Sequence, residues 1–333
     1  MLISTEQISK YHPDKYADQI SDAILTECLK QDKNSHVACE TMVKDTTVII
    51  AGEITTNANI SYEKIIERVA TKLNYKVDKI INLIGEQSPE INNAVTRLED
   101  LGAGDQGIMY GYATSETTSY LPYAFDLANK IIERIEFDTE HNENNVLKGD
   151  AKTQVTYDTE LKEIESVVVS VCFNEKYELK YIQKYIKALL ADLVDKNKLI
   201  VNPSGVWTLG GPAADCGLTG RKIVCDQYGG FCPVGGGAFS GKDPTKVDRS
   251  ASYMARKIAI DLVKEFKLEW CEVQLGYSIG LPYPVSVYVK NDKGIDYSDY
   301  VLKKYNLSPK GIIEYLGLLD IDYEKLAEGC HYR

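Results

Sequence analysis

Three short stretches of this 333-residue sequence hold residue types whose spacing suits phosphate chemistry. His12, Pro13, Asp14 and Lys15 put an imidazole, a carboxylate and an ammonium at the expected start of a helix, where free N–H groups and the dipole favour anions. Residues 214–222 (ADCGLTGRK) supply Asp215 and then adjacent Arg221 and Lys222, one a bidentate fork and the other a point charge for separate phosphate oxygens. Residues 235–249 combine glycine N–H groups with Lys242, Lys246 and Arg249, and with Asp248 among them, a cradle suited to a polyphosphate and its metal ion. Glu40 and Glu53 each interrupt an apolar, β-rich run, where a carboxylate needs a cation or donors.

Two of the glycine-rich stretches imitate better-known motifs. GAGDQG (102–107) has the G-x-G-x-x-G spacing, but a polar stretch precedes it and the strand-like IMYGYAT follows, the reverse of the strand-then-helix context that dinucleotide binding requires. It reads instead as a turn entering a strand, with Asp105 between glycines that let a ligand approach the backbone. Gly236 to Lys242 approaches the phosphate-loop pattern, yet Asp243 stands where the magnesium-binding hydroxyl belongs and no apolar strand leads in. The competing bland reading of this segment is a solvated basic loop.

The elements that must position these residues follow from periodicity. Helices are expected at 14–31, 62–73, 122–136, 178–195, 250–266, near 297–305 and at 309–319. Strand pairs are expected at 36–44 with 47–56, around 152–158 with 165–173, and at 271–280 with 284–291. Helix, strand pair, helix thus recurs three times, about 115 residues apart. Length alone suggests two domains at ~150 residues each, but the pattern argues for an α+β chain of three similar sheet-plus-helix lobes in one body. Their approximate limits are 1–112 with the GAGDQG loop, 113–225, and 226–333 with the GGGAFSGKD loop, with chain interleaving between them.

Composition narrows the function. The net charge of −11 opposes a surface that grips nucleic acid, so an anionic ligand must find a local basic site. Residues 200–256 are that site: they carry six basic residues against four Asp and no Glu, and eleven of the 24 glycines lie between Gly205 and Gly241. Eight cysteines without a CxxC pair suggest reduced thiols in a cytosol, and no apolar run is long enough to span a membrane.

Taken together, HPDKYADQISDAIL, VACETMVK, AGEITT, QSPEIN, LGAGDQGIMYGYAT, DAKTQV, NPSG, LGGPAADCGLTGRKIVCDQYGG and GGGAFSGKDPTKVDRSASYMAR closely resemble the S-adenosylmethionine synthetase family, in the family's order. The resemblance implies three interlocked lobes with pseudo-threefold symmetry. It implies attack of methionine sulfur on the 5′ carbon of ATP, then hydrolysis of the released tripolyphosphate to pyrophosphate and phosphate. A thioether is already nucleophilic, so no activated Ser or Cys is required.

By matching position, the resemblance assigns catalysis to His12, Lys152, Arg221 and Asp105. ATP would be bound by His12, Asp150, Lys152, Trp207, Asp215, Arg221, Lys222, Ala238 and Lys242, and methionine by Glu53, Gln87, Asp215 and Lys246. Asp14 and Asp248 would hold two Mg2+ ions per site, and Glu40 one K+ per subunit. Trp207 stands where the family commonly has a Phe that stacks on adenine. The resemblance further implies a cytoplasmic homodimer with shared sites, or a homotetramer, acting on ATP and L-methionine without nucleic acid or membrane. Ser9, Lys10 and Tyr11 depart from the family's usual Ser-Glu-Gly, and residues 74–101 are shortened. An ATP-sensing module without turnover and a phosphate-loop kinase or ATPase are the rivals, told apart by methionine-dependent product.

Overall fold

A computed structural model describes residues 1–85 and 102–333. Its strands form three sheets. The central sheet is ordered β1 (Leu2–Ile8), β6 (Leu147–Asp158), β7 (Glu163–Phe173) and β8 (Leu199–Val201). The N-terminal sheet runs β4 (Lys79–Gly85), β3 (Thr47–Thr55), β2 (His36–Lys44) and β9 (Gly217–Leu218). The C-terminal sheet runs β11 (Ser286–Asn291), β10 (Trp270–Tyr277) and β5 (Gly107–Thr114).

Each sheet is backed by one long helix. α1 (Pro13–Gln31) lies on β2, α3 (Tyr123–His141) on β6, and α6 (Val247–Phe266) on β5 and β10. Ala17, Ile20, Ile24 and Cys28, at the helical spacing read from the sequence, pack in the first core, although α1 is buried on its polar side as well, and Ala128, Ile131, Ile132 and Ile135 of α3 pack in the second. α2 (Tyr62–Lys72) and α4 (Leu179–Leu189) cover the first two cores. The third is completed by α7 (Ser298–Lys304) and α8 (Pro309–Leu316).

The sheets are not consecutive thirds of the chain. β1 joins the central sheet, pairing antiparallel with β6 from Leu2↔Asp158 to Ile8↔Lys152. β5 leaves the GAGDQG turn and joins β10, and β9 returns to pair with β2 at Met42 and Val43. Limits at 112 and 225 therefore do not bound the sheets, because strand edges are satisfied by chain crossing between lobes. Leu121, Phe125, Tyr228, Cys232 and Cys330 form a further small core.

Alternation along β2 and β3 buries Val37, Cys39, Val43, Val48, Ile50 and Ile54 against α1. Glu40 and Glu53 fall on the opposite, open face, in register with Ala51 and Ala38. That face also carries Met42, Leu83 and Leu218, all exposed.

Candidate active site

α1 organises the site through its N-terminal half. His12 is its N-cap, with Nδ1 accepting the Asp14 N–H at 3.1 Å, and Pro13 supplies the first turn. With Nδ1 committed as acceptor, the neutral ring carries its proton on Nε2. Burial holds His12 down to about pH 3 for protonation, reinforced by the positive charges of Lys152 and Lys222 and opposed by Asp14 and Asp215. His12 is thus a neutral donor at physiological pH.

Three aspartates at helical spacing along α1 each catch a backbone N–H from a distant loop. Asp14 Oδ1 accepts from Leu218 at 3.0 Å, Asp18 Oδ1 from Gly220 at 2.8 Å and Asp22 Oδ1 from Gly241 at 2.8 Å. Ser21 adds hydroxyl contacts to Thr41 (2.7 Å) and Thr219 (2.8 Å). Buried countercharges make the ladder tolerable: Lys15 lies 2.7 Å from Asp226 and 3.1 Å from Asp18, and Arg249 grips Asp22 through both carboxylate oxygens at 2.8 and 2.7 Å. The sequence-derived residue set omits Asp18, Asp22 and Asp226, and Arg249, expected in the phosphate cradle, is instead fully buried on Asp22. The signal for Asp18 and Asp22 is their i+4, i+8 spacing from Asp14, which places the three on one helix face.

The sequence-derived site residues fall into two groups. Around His12, Asp14 pairs with Lys222 and lies 3.7 Å from Arg221 Nε. Burial opposes its ionisation, but the Lys222 ammonium and the Leu218 N–H win and hold its carboxyl below the usual range. Asp150 and Lys152 follow on β6, Asp150 buried and Lys152 on the open face. Asp150 Oδ2 accepts the Gly211 N–H at 2.7 Å, while Oδ1 is buried without a partner among the described residues and is available to a ligand hydroxyl. Burial pushes the Asp150 carboxyl up to about 6, against the pull of Gly211 and Lys152. Asp215 and Arg221 are exposed on the connecting loop, and Trp207 is half-buried with its Nε1–H committed to Leu209 O at 2.7 Å.

The second group surrounds the glycine-rich loop. Lys242 Nζ lies 2.6 Å from Asp248 Oδ2, and a Cβ on Gly107 would sit 3.8 Å from Asp248 Oδ1, which places the GAGDQG turn against this carboxylate. Burial raises the Asp248 carboxyl, opposed by Lys242 and helped by Asp105. Asp105 is exposed, its Oδ1 accepting from Gln106 N–H at 2.7 Å. Residues 37–39 and 241–243 pair backbone to backbone, bringing Lys242 beside Glu40, whose carboxyl is raised by burial and lowered by Lys242. Lys246 pairs with buried Asp243, which also accepts from the Val37 N–H at 2.6 Å. Asp243 is therefore a structural anchor, which removes the phosphate-loop reading of this segment. The two groups touch where Gly220, at φ +77°, leaves room for Ala238; a Cβ there would stand 2.4 Å from the Ala238 methyl. Gln87 lies outside the described residues.

A site built from an anion-facing helix start, a basic glycine-rich loop and carboxylates paired to lysines defines a three-lobed α+β enzyme of nucleotide polyphosphates. Family models give it a more particular place: the S-adenosylmethionine synthetase N-terminal domain matches residues 1–97, the central domain 100–207 and the C-terminal domain 209–333. An S-adenosylmethionine synthase of Brachyspira hyodysenteriae is 42% identical over 99% of this chain and 92% of its own length. A solved structure titled as an unusual S-adenosylmethionine synthetase from Campylobacter jejuni superposes with a TM-score of 0.89 at 34% identity, covering 98% of this chain and 93% of that one. The chain belongs to the S-adenosylmethionine synthetase family.

Proposed function

We propose that this enzyme makes S-adenosylmethionine from ATP and L-methionine and then hydrolyses the tripolyphosphate it releases. The observation that carries this reading is the pairing of a neutral, buried His12 at a helix N-terminus with Lys152 and Lys222 beside it. The methionine sulfur forms a bond to C5′ as the C5′–O bond breaks, and the electron pair leaves on the oxygen of the triphosphate. His12 Nε2–H stabilises that oxygen as charge develops, and Lys152, Lys222, Lys242 and Lys246 hold the phosphates. Arg221, exposed at the loop tip, assists the hydrolysis step. Asp150 Oδ1 takes a ribose hydroxyl and Trp207 stacks on the base. Asp105, Asp215, Glu53, Gln87 and Ala238 complete the methionine and adenosine pockets.

Among the described residues no cluster of three or more His, Cys, Asp or Glu is arranged to hold a metal. That suits ions bound chiefly through substrate phosphates, which need one carboxylate each from protein. Asp14 and Asp248 fit this part, and the two Mg2+ ions they would hold neutralise triphosphate charge when bound. Glu40, on the open sheet face near Lys242, would hold K+.

The exposed Met42, Leu83 and Leu218 beside Glu40 and Glu53 support a second copy of this chain packed on that face, so that residues of both protomers line each site. A homodimer or homotetramer with shared sites follows. All eight cysteines are free and, among the described residues, no helix is long and apolar enough to cross a membrane, which supports a cytoplasmic location.

Incubation of the purified protein with ATP, methionine, Mg2+ and K+ tests the reaction: equal amounts of S-adenosylmethionine, pyrophosphate and phosphate are expected. ATP hydrolysis indifferent to methionine, or ATP binding with no product at all, would reject it.

A further inference from the structure

His12 is preceded by Ser9, Lys10 and Tyr11, and every contact of this segment ties it down. Ser9 bonds Ala151 twice, N–H to O and Oγ to N–H, each at 3.0 Å, and its carbonyl accepts the His12 N–H at 3.0 Å. The Lys10 N–H donates to Glu136 Oε1 at 2.6 Å, and the Lys10 carbonyl accepts from Gln19 Nε2 at 2.8 Å. The Lys10 ammonium pairs with Glu140, which also accepts from the Tyr11 hydroxyl at 3.3 Å. The Tyr11 carbonyl accepts from the Tyr75 hydroxyl. Glu136 and Glu140 are one turn apart on α3, so one face of the central lobe receives the Lys10 N–H and the Lys10 and Tyr11 side chains.

The Tyr11 ring leaves room only for a glycine at position 149. Gly149 adopts φ +92° against the Tyr11 ring, where a Cβ would stand 2.5 Å from Cγ. Gly149 immediately precedes Asp150, so the ring that braces His12 also braces the ribose-facing strand. Tyr11 and Tyr75 line a cavity of about 580 Å³ with Gly210, the residue before the one that donates to Asp150.

We propose that Glu136 and Glu140 are positioning residues for His12, acting through Lys10 and Tyr11 as a clamp that fixes the start of α1 against the central lobe. This rests on the synthetase reading above, since it assigns the clamp to the residue that faces the departing oxygen. Neither glutamate touches the site, and their effect is transmitted by the backbone of residues 9–12. Burial lifts Glu136 to about 7, while the Lys10 N–H and ammonium pull it down. The other charges facing it are Arg333, itself paired with Glu133 at 3.0 Å, and Glu328, paired with Lys72 at 2.6 Å, together with Glu140 and the Tyr11 hydroxyl. The clamp therefore tightens as pH rises through neutrality, when Glu136 becomes the better acceptor for Lys10.

The test measures steady-state kinetics of wild type, Glu136→Ala, Glu136→Gln and Glu140→Gln with ATP and methionine between pH 6 and 8.5. Glu136→Ala is expected to lose kcat by on the order of tenfold or more, as misplacement of a reacting group does, with the KM for methionine little changed. Glu136→Gln keeps an acceptor for the Lys10 N–H, so it restores most of kcat but loses the pH step near 7. Glu140→Gln is expected to raise the KM for ATP. Wild-type turnover with profiles of Glu136→Gln and Glu140→Gln superimposable on it would overturn the clamp even if Glu136→Ala failed to fold. Absence of product from wild type would instead overturn the synthetase reading.

Discussion

Lys242 Nζ sits 2.6 Å from Asp248 Oδ2, so a lysine expected to hold phosphate rests on a carboxylate expected to hold a magnesium ion. Lys222 and Asp14 repeat the relationship in the other residue group. Each half of the site is thus neutralised internally before substrate arrives. On the proposed reading, Asp14 and Asp248 would hold the magnesium ions and the freed lysines the phosphates of a magnesium polyphosphate. The lost ion pairs would then be replaced one for one, which spares the penalty of leaving a partly buried charge alone.

That exchange predicts strong coupling between metal and polyphosphate. Titration calorimetry with tripolyphosphate is expected to show affinity rising at least about tenfold when Mg2+ is present, a coupling of roughly 1.4 kcal/mol or more. Mg2+ binding equally tightly with and without tripolyphosphate would contradict it. Lys242→Met should weaken tripolyphosphate binding while leaving Asp248 free to bind Mg2+ alone more readily than in wild type.

The ladder on α1 predicts a large stability effect far from any ligand contact. Arg249 is fully buried over the Tyr323 ring, 4.4 Å from its centroid, and its Nη2 donates to both Asp22 oxygens. Arg249→Met leaves the Asp22 charge buried with only the Gly241 N–H, and should cost about 3–5 kcal/mol in urea unfolding. Adding Asp22→Asn is expected to recover part of that loss. A change under about 1 kcal/mol for Arg249→Met would mean that the pair does not anchor the glycine-rich loop.

How much of this was legible in the sequence depends on which interactions were local. The long helices, three strand pairs and the turn at GAGDQG could be read because period and glycine placement are local properties of the chain. The polar strand β1 could not, since its reason for being a strand is β6, about 150 residues away. The residues of HPDK were read correctly as a helix start. Yet Lys15, by type a phosphate ligand, is buried on Asp226 and Asp18, because only the fold brings α5 (Ile223–Asp226) under α1. Lys10 and Tyr11 depart from the family pattern in the sequence itself, but their partners on α3 lie 126 and 129 residues away and only the fold brings them together. The division of the named residues into two groups likewise appears only when the loops are folded onto α1.

Trp207 predicts a nucleotide effect separable from chemistry. Its Nε1–H is spent on Leu209 O, so the indole offers a base only its face. Base–aromatic stacking is worth about 1–3 kcal/mol. Trp207→Ala should therefore raise the KM for ATP on the order of tenfold or more, with kcat far less affected, whereas Trp207→Phe should remain close to wild type. An unchanged KM for ATP in Trp207→Ala would remove this residue from the nucleotide pocket.

His12 predicts a signed dependence of stability on pH. Burial, with Lys152 and Lys222 adding to it, lowers its folded value to about 3, while the unfolded chain takes up a proton near the ordinary 6.5. Between those values the unfolded state binds more protons, so this group's contribution to stability is intact above about pH 6.5 and is lost as pH falls toward 3. His331, buried and likewise held well below its usual value, acts in the same direction. His12→Asn, which keeps a side-chain acceptor at the N-cap but does not titrate, should flatten the fall in melting temperature between pH 6.5 and 4. The same neutrality means that kcat should show no ionisation of His12 between pH 6 and 9. Any step in kcat near pH 7 belongs instead to Glu136. NMR titration showing the His12 ring itself taking up a proton between pH 6 and 9 would reverse the assignment of Nε2–H as a neutral donor.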